Sequence, residues 1–242
     1  MKRDASQPPA DLLFDQANWL APARAKLLRH VSIAHRRRIL DLGAGAGAVS
    51  GELVRRSRGI VVAFDVGYHL LHEISEVDRL CKVAGNGLEL PFAPASFDLV
   101  FCQCTLLWIR PLLPTVTGLW QALKPEGVLV ALEPDYGGLI EYPGEMSLRT
   151  MWLDVLRRNG ANPMVGRHLP SALHEAGFSV KVELLDRLYP PSPLRFSFFE
   201  DLALTKKEWE SLELARSAAS ELPDSGQIAH LPYFLITATK KS

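Results

Sequence analysis

A glycine-rich stretch, ILDLGAGAGAVS at residues 39–50, constrains the fold of this chain more than any other feature. Its three glycines, Gly43, Gly45 and Gly47, follow a short apolar run that predicts a buried strand. Glycine in an ordered element costs about 0.5–1 kcal/mol relative to alanine, so three at alternate positions need a physical reason. The pattern indicates that the backbone turns sharply after the strand and that another group approaches it closely.

Strand and helix patterns alternate through the first half of the chain, and the strands are unbroken apolar runs. Strands are predicted at 38–42, 59–65, 81–85, 97–104 and 127–134, and helices at 11–30, 48–57, 69–80 and 112–124. Unbroken apolar runs are typical of parallel strands that are covered on both faces. The pattern therefore predicts an α/β fold, with a doubly wound sheet between two layers of helices. The first helix is expected to break near Pro22.

The pattern changes after residue 134. Helices are predicted at 147–160, 169–178 and 205–220, and strands at 179–189 and 233–240. Gly177 is expected to end the second of these helices, and Thr205 with Glu208 predicts a capping box at the third. We expect a single domain over 1–242, with an N-terminal helical cap over 1–35. Residues 136–168 and 190–230 are expected to be insertions on the substrate side.

Charge and hydropathy narrow the classes of function. Lysine plus arginine and aspartate plus glutamate both number 27, so no basic excess favours nucleic acid as a partner. No apolar run reaches the roughly 18–20 residues of a membrane span, and the N-terminus has no apolar signal-peptide core. We therefore expect no membrane partner and a cytoplasmic setting, which the three cysteines fit because they cannot all pair. The sequence leaves the oligomeric state open.

Two of the cysteines, Cys102 and Cys104, lie two residues apart in an apolar segment. A strand turns the side chains of residues i and i+2 to the same face, so both thiols would point the same way. A protein metal site needs further ligands, and no third or fourth ligand lies nearby in the sequence. No metal site is predicted.

The residues around the glycines indicate what the loop holds. Gly43, Gly45 and Ala48 satisfy the pattern G-x-G-x-x-G/A, and Asp65 lies 22 residues past Gly43, where an acid that binds a ribose is expected. An adenosine-containing ligand is therefore predicted. A dinucleotide would place its pyrophosphate at the N-terminus of the following helix. Asp41 is a poor neighbour for a diphosphate and a good one for a cation, such as an amino group or a sulfonium.

Several segments together resemble class I S-adenosylmethionine-dependent methyltransferases. ILDLGAGAG resembles the first motif of that family, VVAFD the second, and AGNGLELPFAPASFDLVFCQCTLLWI the third and fourth. ALKPEGVLVALEPD and VGRHLPSALHEAGF resemble two later segments. The resemblance covers about residues 36–186 and is strongest for the small-molecule subgroup. It implies a three-layer sandwich around a seven-stranded, mostly parallel sheet, whose last two strands form an antiparallel C-terminal hairpin.

The resemblance also implies S-adenosylmethionine as the cofactor and assigns residues to it. Gly43, Gly45 and Gly47 would let the backbone pass against its methionine part. Asp41 would face the ammonium group, and Asp65 would accept hydrogen bonds from the ribose hydroxyls.

Further cofactor-binding residues follow from the same resemblance. They are Val66, Asn86, Gly87 and Gln103. Val66 would pack on the adenine or belong to the core. Asn86 stands where the family usually has an aspartate that accepts from the adenine amino group, and an amide oxygen accepts without a charge. Gln103 lies where cofactor and substrate meet in the family.

The reaction implied is methyl transfer to an N, O, S or C atom of a small-molecule acceptor. Glu133, at the end of a strand over the expected site, is the candidate for a base or an acceptor-binding group. Two alternatives stay open. An NAD(P)-dependent oxidoreductase would need a pyrophosphate beside Asp41, and the chain has no recognisable Tyr-x-x-x-Lys. A non-catalytic S-adenosylmethionine-binding protein of the same fold is favoured only by Asn86.

Overall fold

A seven-stranded sheet organises the structure, a computed structural model that describes residues 10–185, 188, 191–200 and 202–241. Its strands are β1 (Arg38–Leu42), β2 (Ile60–Asp65), β3 (Leu80–Ala84), β4 (Phe97–Gln103), β5 (Leu123–Pro134), β7 (Phe178–Leu184) and β9 (Tyr233–Lys240). Strands β6 (Ile140–Tyr142) and β8 (Ile228–His230) form a separate pair. The order in the large sheet is β3-β2-β1-β4-β5-β9-β7. In this sheet β9 runs antiparallel to both β5 and β7, whereas the other pairs of neighbouring strands are parallel. The predicted fold and hairpin are therefore confirmed.

Helices cover both faces of this sheet. They are α1 (Ala10–His30), α2 (Ser50–Arg56), α3 (Tyr68–Glu73), α4 (Leu112–Ala122), α5 (Arg149–Arg158), α6 (Val165–Glu175), α7 (Leu194–Ser197) and α8 (Lys206–Ser220). One apolar cluster joins Leu20 and Leu28 of α1 to the sheet, and a second joins α4 and α6 to the opposite face. Both sides of each central strand are therefore buried, which is why the strands are apolar runs.

Two local expectations about the helices are wrong. Helix α1 continues through Pro22 without the expected break. Proline removes one backbone donor, but the buried leucines on either side hold both halves of α1 against the sheet. Helix α3 ends at Glu73 rather than near residue 80, because Lys82 Nζ donates to the Ile74 carbonyl at 2.6 Å and terminates the helix there.

The expected helix ends are confirmed elsewhere. Thr205 accepts a hydrogen bond from the Glu208 backbone N–H, and the Glu208 carboxylate accepts from the Thr205 N–H at 2.7 Å, which completes the capping box of α8. Gly177 follows α6 with a φ of +98°, in the left-handed region that favours glycine. These ends fix where α6 leads into β7 and where α8 begins.

The strand order places the glycine loop at a reversal point of the topology. From β1 the chain moves outward to β2 and β3, and then returns to β4 on the other side of β1. Ligands of open α/β sheets bind at the carboxyl ends of the strands beside such a reversal. Asp41, Asp65 and Gln103 lie at or near the carboxyl ends of β1, β2 and β4, and so share this edge.

The two segments that the sequence marks as insertions meet in space. Strand β6, from the first, pairs antiparallel with β8, from the second, so that Ile140 lies opposite His230. Aromatic rings add a further contact, since the ring centroids of Trp152 on α5 and Phe199 lie 3.7 Å apart. The two segments therefore form one layer rather than two independent loops. The N-terminal part of the expected cap, residues 1–9, lies outside the described residues.

Replacement of Gly43 by alanine should destabilise the protein by at least about 2 kcal/mol. Its φ of +74° costs an L-residue about 1–2 kcal/mol, and a Cβ there would lie 2.2 Å from Thr105 Oγ1. Gly144→Ala is the matched control, because a Cβ at Gly144 would meet no atom within 4 Å and its φ is not positive. Thermal unfolding of both variants checks this, and equal melting temperatures would contradict it.

Candidate functional site

A cavity of about 490 Å³ lies at the carboxyl edge of the sheet, and we call it the edge cavity. Most of the residues that the sequence singles out for cofactor binding line it: Asp41, Gly43, Gly45, Asp65, Val66, Asn86, Gly87 and Gln103. Gly47 does not line it. A Cβ at Gly47 would lie 2.9 Å from Ile74, and its φ is +81°, so this glycine serves the close packing of the loop on the end of α3.

Asp41 is a buried acid in the wall of the edge cavity. Ser50, the first residue of α2, donates its hydroxyl to Asp41 Oδ2 at 2.6 Å. Burial disfavours the carboxylate and raises the pKa of Asp41 to about 7, although the Ser50 hydrogen bond lowers it in part. A positive group in the edge cavity would favour the ionised form.

Asp65 shapes the glycine loop. Its Oδ2 accepts from the Gly45 N–H at 2.8 Å, and its Oδ1 accepts from the Gly67 N–H at 2.7 Å. The carboxylate therefore ties the loop after β1 to the turn after β2. Each carboxylate oxygen has two lone pairs, so Asp65 retains acceptor capacity toward hydroxyl groups in the cavity.

The next part of the wall is built by the loops after β2 and β3. Val66 is 69% exposed, so it belongs to the cavity surface and not to the core. Asn86 Oδ1 accepts from the Leu88 N–H at 3.0 Å, which fixes the turn after β3. Gly87 lies so close to Ile109 that a Cβ would be 2.7 Å from its side chain.

Arg24, which the sequence did not single out, holds the side chain of Gln103 in place. Arg24 Nη1 donates to Gln103 Oε1 at 3.0 Å and to the Ala17 carbonyl at 2.8 Å. Arg24 also forms an ion pair of 2.6 Å with Glu52 of α2. Arg24 is buried among apolar residues of α1, and buried arginines need partners. Its place among these apolar residues is the one sequence signal that could have found it. Arg24 thereby fixes α1, whose Leu13 and Gln16 line the edge cavity.

Glu133 is fully buried and does not line the edge cavity. Its Oε1 accepts from the backbone N–H groups of Thr105 and Leu106, at 3.0 and 2.9 Å. Burial raises the pKa of Glu133 to about 7, and the backbone hydrogen bonds offset part of that effect. The geometry therefore favours a role for Glu133 in positioning the loop after β4. Direct action of Glu133 on an acceptor stays a prediction, and this geometry does not favour it.

Two smaller cavities share lining residues with the edge cavity. We call the first, of about 90 Å³, the neck, and the second, of about 280 Å³, the aromatic chamber. Leu13, Cys104 and Trp108 line both the edge cavity and the neck. Tyr136, Trp152 and Phe198 line both the neck and the chamber. Gln16 lines all three, so the cavities adjoin in series from the glycine loop to the insertion layer.

Neither cysteine of the β4 pair belongs to a metal site in the described structure. Cys102 is buried in the core, and Cys104 lines the neck. Across the described ranges, no three His, Cys, Asp or Glu side chains are placed to hold a metal ion. Among the helices that the structure describes, none is long and apolar enough to cross a membrane.

The chain has relatives of known sequence. Residues 40–131 match the family model of a methyltransferase domain. The mitochondrial arginine-hydroxylase NDUFAF5 of Mus musculus is 28% identical over 169 residues, which are 67% of this chain and 48% of that protein. The malonyl-(acyl-carrier protein) O-methyltransferase of Xylella fastidiosa is 35% identical over 97 residues, 38% of this chain and 33% of that protein. The matched part thus spans about half or less of these relatives.

A solved structure shows the same fold. Phosphoethanolamine N-methyltransferase 2 of Haemonchus contortus, in complex with phosphomonomethylethanolamine and S-adenosylhomocysteine, superposes with a TM-score of 0.65 at 19% identity. The superposition covers 90% of this chain and 52% of that one. The strand order and the edge cavity define an α/β protein with a cavity at the topological reversal point. Residues 40–131 thus resemble a methyltransferase domain.

Glu133→Gln should change how stability depends on pH. The pKa of Glu133 rises from 4.5 to about 7 on folding, so its contribution to stability is present below about pH 4.5 and lost as the pH rises to about 7. Relative to the variant, the wild type should lose about 3 kcal/mol over this range. Unfolding free energies of both proteins at pH 5 and pH 8 test this expectation.

The comparison between the two proteins isolates Glu133, because Asp41 titrates in the same range and is present in both. A constant offset between them at all pH values would come from the altered hydrogen bonds alone. Such a constant offset would show that Glu133 does not carry a raised pKa.

Proposed function

We propose that this chain transfers the methyl group of S-adenosylmethionine to a small-molecule acceptor. The observation that carries the proposal is the series of adjoining cavities, in which the edge cavity holds the glycine loop with two acids and the neck leads to a separate chamber. The edge cavity suits the cofactor, and the aromatic chamber suits the acceptor. The methyltransferase-domain match over residues 40–131 supports the same function, because it covers the glycine loop and the strands that carry both acids.

The proposed cofactor fits the residues of the edge cavity. Gly43 and Gly45 leave no side chain between the loop backbone and the methionine part. Asp41 would accept from the ammonium group, and Asp65 would accept from the ribose hydroxyls with the lone pairs that Gly45 and Gly67 leave free. Such charge-assisted hydrogen bonds are worth about 1.5–3 kcal/mol each.

The adenine end would lie between the loops after β2 and β3. Val66 offers an exposed apolar surface for the ring, and Gly87 lines the same part of the wall. Asn86 would present one remaining lone pair of Oδ1, since the Leu88 N–H takes the other. A neutral acceptor in place of the usual aspartate is expected to weaken this contact without removing it.

The chain's own residues would act mainly by positioning. S-adenosylmethionine, which Asp41, Asp65 and the glycine loop would hold, would supply an electrophilic methyl group on a sulfonium sulfur. Alignment of two reactants in one site is worth effective molarities of about 10⁵–10⁸ M. Gln103, which Arg24 holds in place, lines the edge cavity, and the loop that Glu133 holds leads into Leu107 and Trp108 of the neck, where the reacting atoms would meet.

A second reaction class has one specific observation in its favour. The relative from Mus musculus is named as an arginine-hydroxylase, and hydroxylation is an oxidation rather than a methyl transfer. The nicotinamide alternative is disfavoured because Asp41 would lie close to a diphosphate.

The cytoplasmic setting stays a prediction from the cysteines. The relative from Mus musculus, by contrast, is named as a mitochondrial protein.

Calorimetric titration with S-adenosylmethionine and S-adenosylhomocysteine, beside NADH and NADPH, tests the cofactor. We expect micromolar binding of the first two alone. Asp65→Ala should weaken it at least about tenfold, since a charge-assisted hydrogen bond is lost. Asp154→Ala is the control, because Asp154 is an exposed acid on α5 paired only with Arg157. Binding of a nicotinamide cofactor, or unchanged affinity in folded Asp65→Ala, would contradict the assignment.

The pH dependence of S-adenosylhomocysteine binding tests Asp41. Because the pKa of Asp41 is about 7 in the free protein and an ammonium group favours its ionised form, affinity should rise from about pH 6 to pH 7.5. It should fall again at higher pH, when the ligand's amino group loses its proton. Asp41→Asn should remove the rise, whereas Glu133→Gln should keep it, and the reverse result would reassign the titrating group.

A further inference from the structure

Among the residues that the structure describes, one arginine, Arg195, lies in the wall of the aromatic chamber. The insertion layer supplies Tyr136, Trp152, Arg195 and Phe198, and α1 adds Trp19. Large aromatic faces around a volume of about 280 Å³ favour a ligand with an apolar body. Arg195 is the group in this wall that decides which polar atom such a ligand carries.

Arg195 is held in place by the protein. Its Nη2 donates to Gln227 Oε1 at 3.2 Å, and its guanidinium carbon lies 4.7 Å from the centre of the Phe196 ring. Gln227 is itself fixed, because its Nε2 donates to the carbonyls of Ala219 and Leu222, each at 3.2 Å. The guanidinium is therefore preorganised rather than free to turn to solvent.

The other terminal nitrogen of Arg195 lacks a partner. Nη1 is buried and has no hydrogen-bond partner among the residues that the structure describes. A buried donor left without an acceptor is costly, more so when it carries charge, and native proteins rarely leave one without a function. An oxygen of a bound molecule would satisfy it.

The remaining titratable groups of the chamber do not offer a comparable donor. Glu141 faces the chamber, but its Oε2 already accepts from the Ser147 hydroxyl at 2.9 Å and from the Leu148 N–H at 2.8 Å. Burial raises the pKa of Glu141, and its hydrogen bonds and the positive charge of Arg195 offset part of that effect. Burial lowers the pKa of His230, so this side chain is uncharged near neutral pH. Arg195 is thus the chamber's fixed positive charge.

We propose that the acceptor is an apolar molecule that carries a carboxylate, and that Arg195 Nη1 binds this carboxylate inside the aromatic chamber. The proposal rests on the proposed function, because it assigns the chamber to the acceptor. Arg195 lines the chamber but neither the neck nor the edge cavity. The carboxylate is therefore a handle held away from the cofactor, and the atom that receives the methyl group lies toward the neck, at the other end of the molecule.

Three probes with one skeleton and different head groups test this inference: 4-phenylbutanoate, 4-phenylbutan-1-ol and 4-phenylbutan-1-amine. Each is titrated into the full chain, with and without saturating S-adenosylhomocysteine, by calorimetry and by the fluorescence of Trp19 and Trp152 in the chamber wall. The acid should bind at least about tenfold tighter than the alcohol, as expected for one charge-assisted hydrogen bond. The amine should bind more weakly than the acid.

Arg195→Gln should remove the preference for the acid and leave the alcohol's affinity within about twofold. Arg216→Gln is the matched control, because Arg216 lies 5.9 Å from the same Phe196 ring but pairs with Glu200 outside the chamber. The wild-type ranking of the three probes tests the proposal even if Arg195→Gln fails to fold.

Tighter binding of the amine would show that Glu141 selects the ligand and would overturn the proposal. Equal binding of all three probes, or no saturable binding of any, would overturn it as well. S-adenosylhomocysteine affinity, measured in the same samples, separates these results from a failure of the proposed function. Loss of that affinity with an intact preference for the acid would leave Arg195 as a carboxylate site in a protein of another activity.

Discussion

The hydrogen bond from the Gly45 N–H to the Asp65 carboxylate is the contact on which the rest of the site depends. It joins the loop after β1 to the end of β2, and the second oxygen of Asp65 fixes the next turn through the Gly67 N–H. The positive φ angles of Gly43 and Gly45 allow the loop to reach this acid. One carboxylate thereby sets the shape of the edge cavity and keeps acceptor capacity inside it.

Two further acids near this edge of the sheet are buried at a cost in stability. Asp41 and Glu133 are both buried, and burial raises the pKa of each to about 7. Asp41 orders the Ser50 hydroxyl at the start of α2, and Glu133 orders the N–H groups of the loop after β4. Strain and buried charge concentrated at one edge of a sheet are typical of sites where stability is given up for function.

The sequence predicts the parts of the molecule that repeat a simple pattern. Apolar runs located the central strands within a few residues, since both faces of the sheet are covered. The break at Pro22 was wrong because tertiary packing of α1 outweighs one missing donor. Arg24 and Arg195 were missed because their side-chain partners lie 28 to 79 and 32 positions away in the chain, respectively, and no local pattern records such contacts. Glu133 was placed correctly at a strand end, but burial turned it toward the backbone.

The division of the cavities follows the extent of the family-model match. The matched region, residues 40–131, contains the glycine loop and both acids of the edge cavity. All of the described residues that line the chamber lie outside that region, and most belong to α1, the 136–168 segment and the 190–230 segment. Gln16 of α1 lines all three cavities, so the helix that Arg24 anchors is the element common to both halves. The shape of the chamber can therefore change through the insertion layer while the glycine loop stays the same.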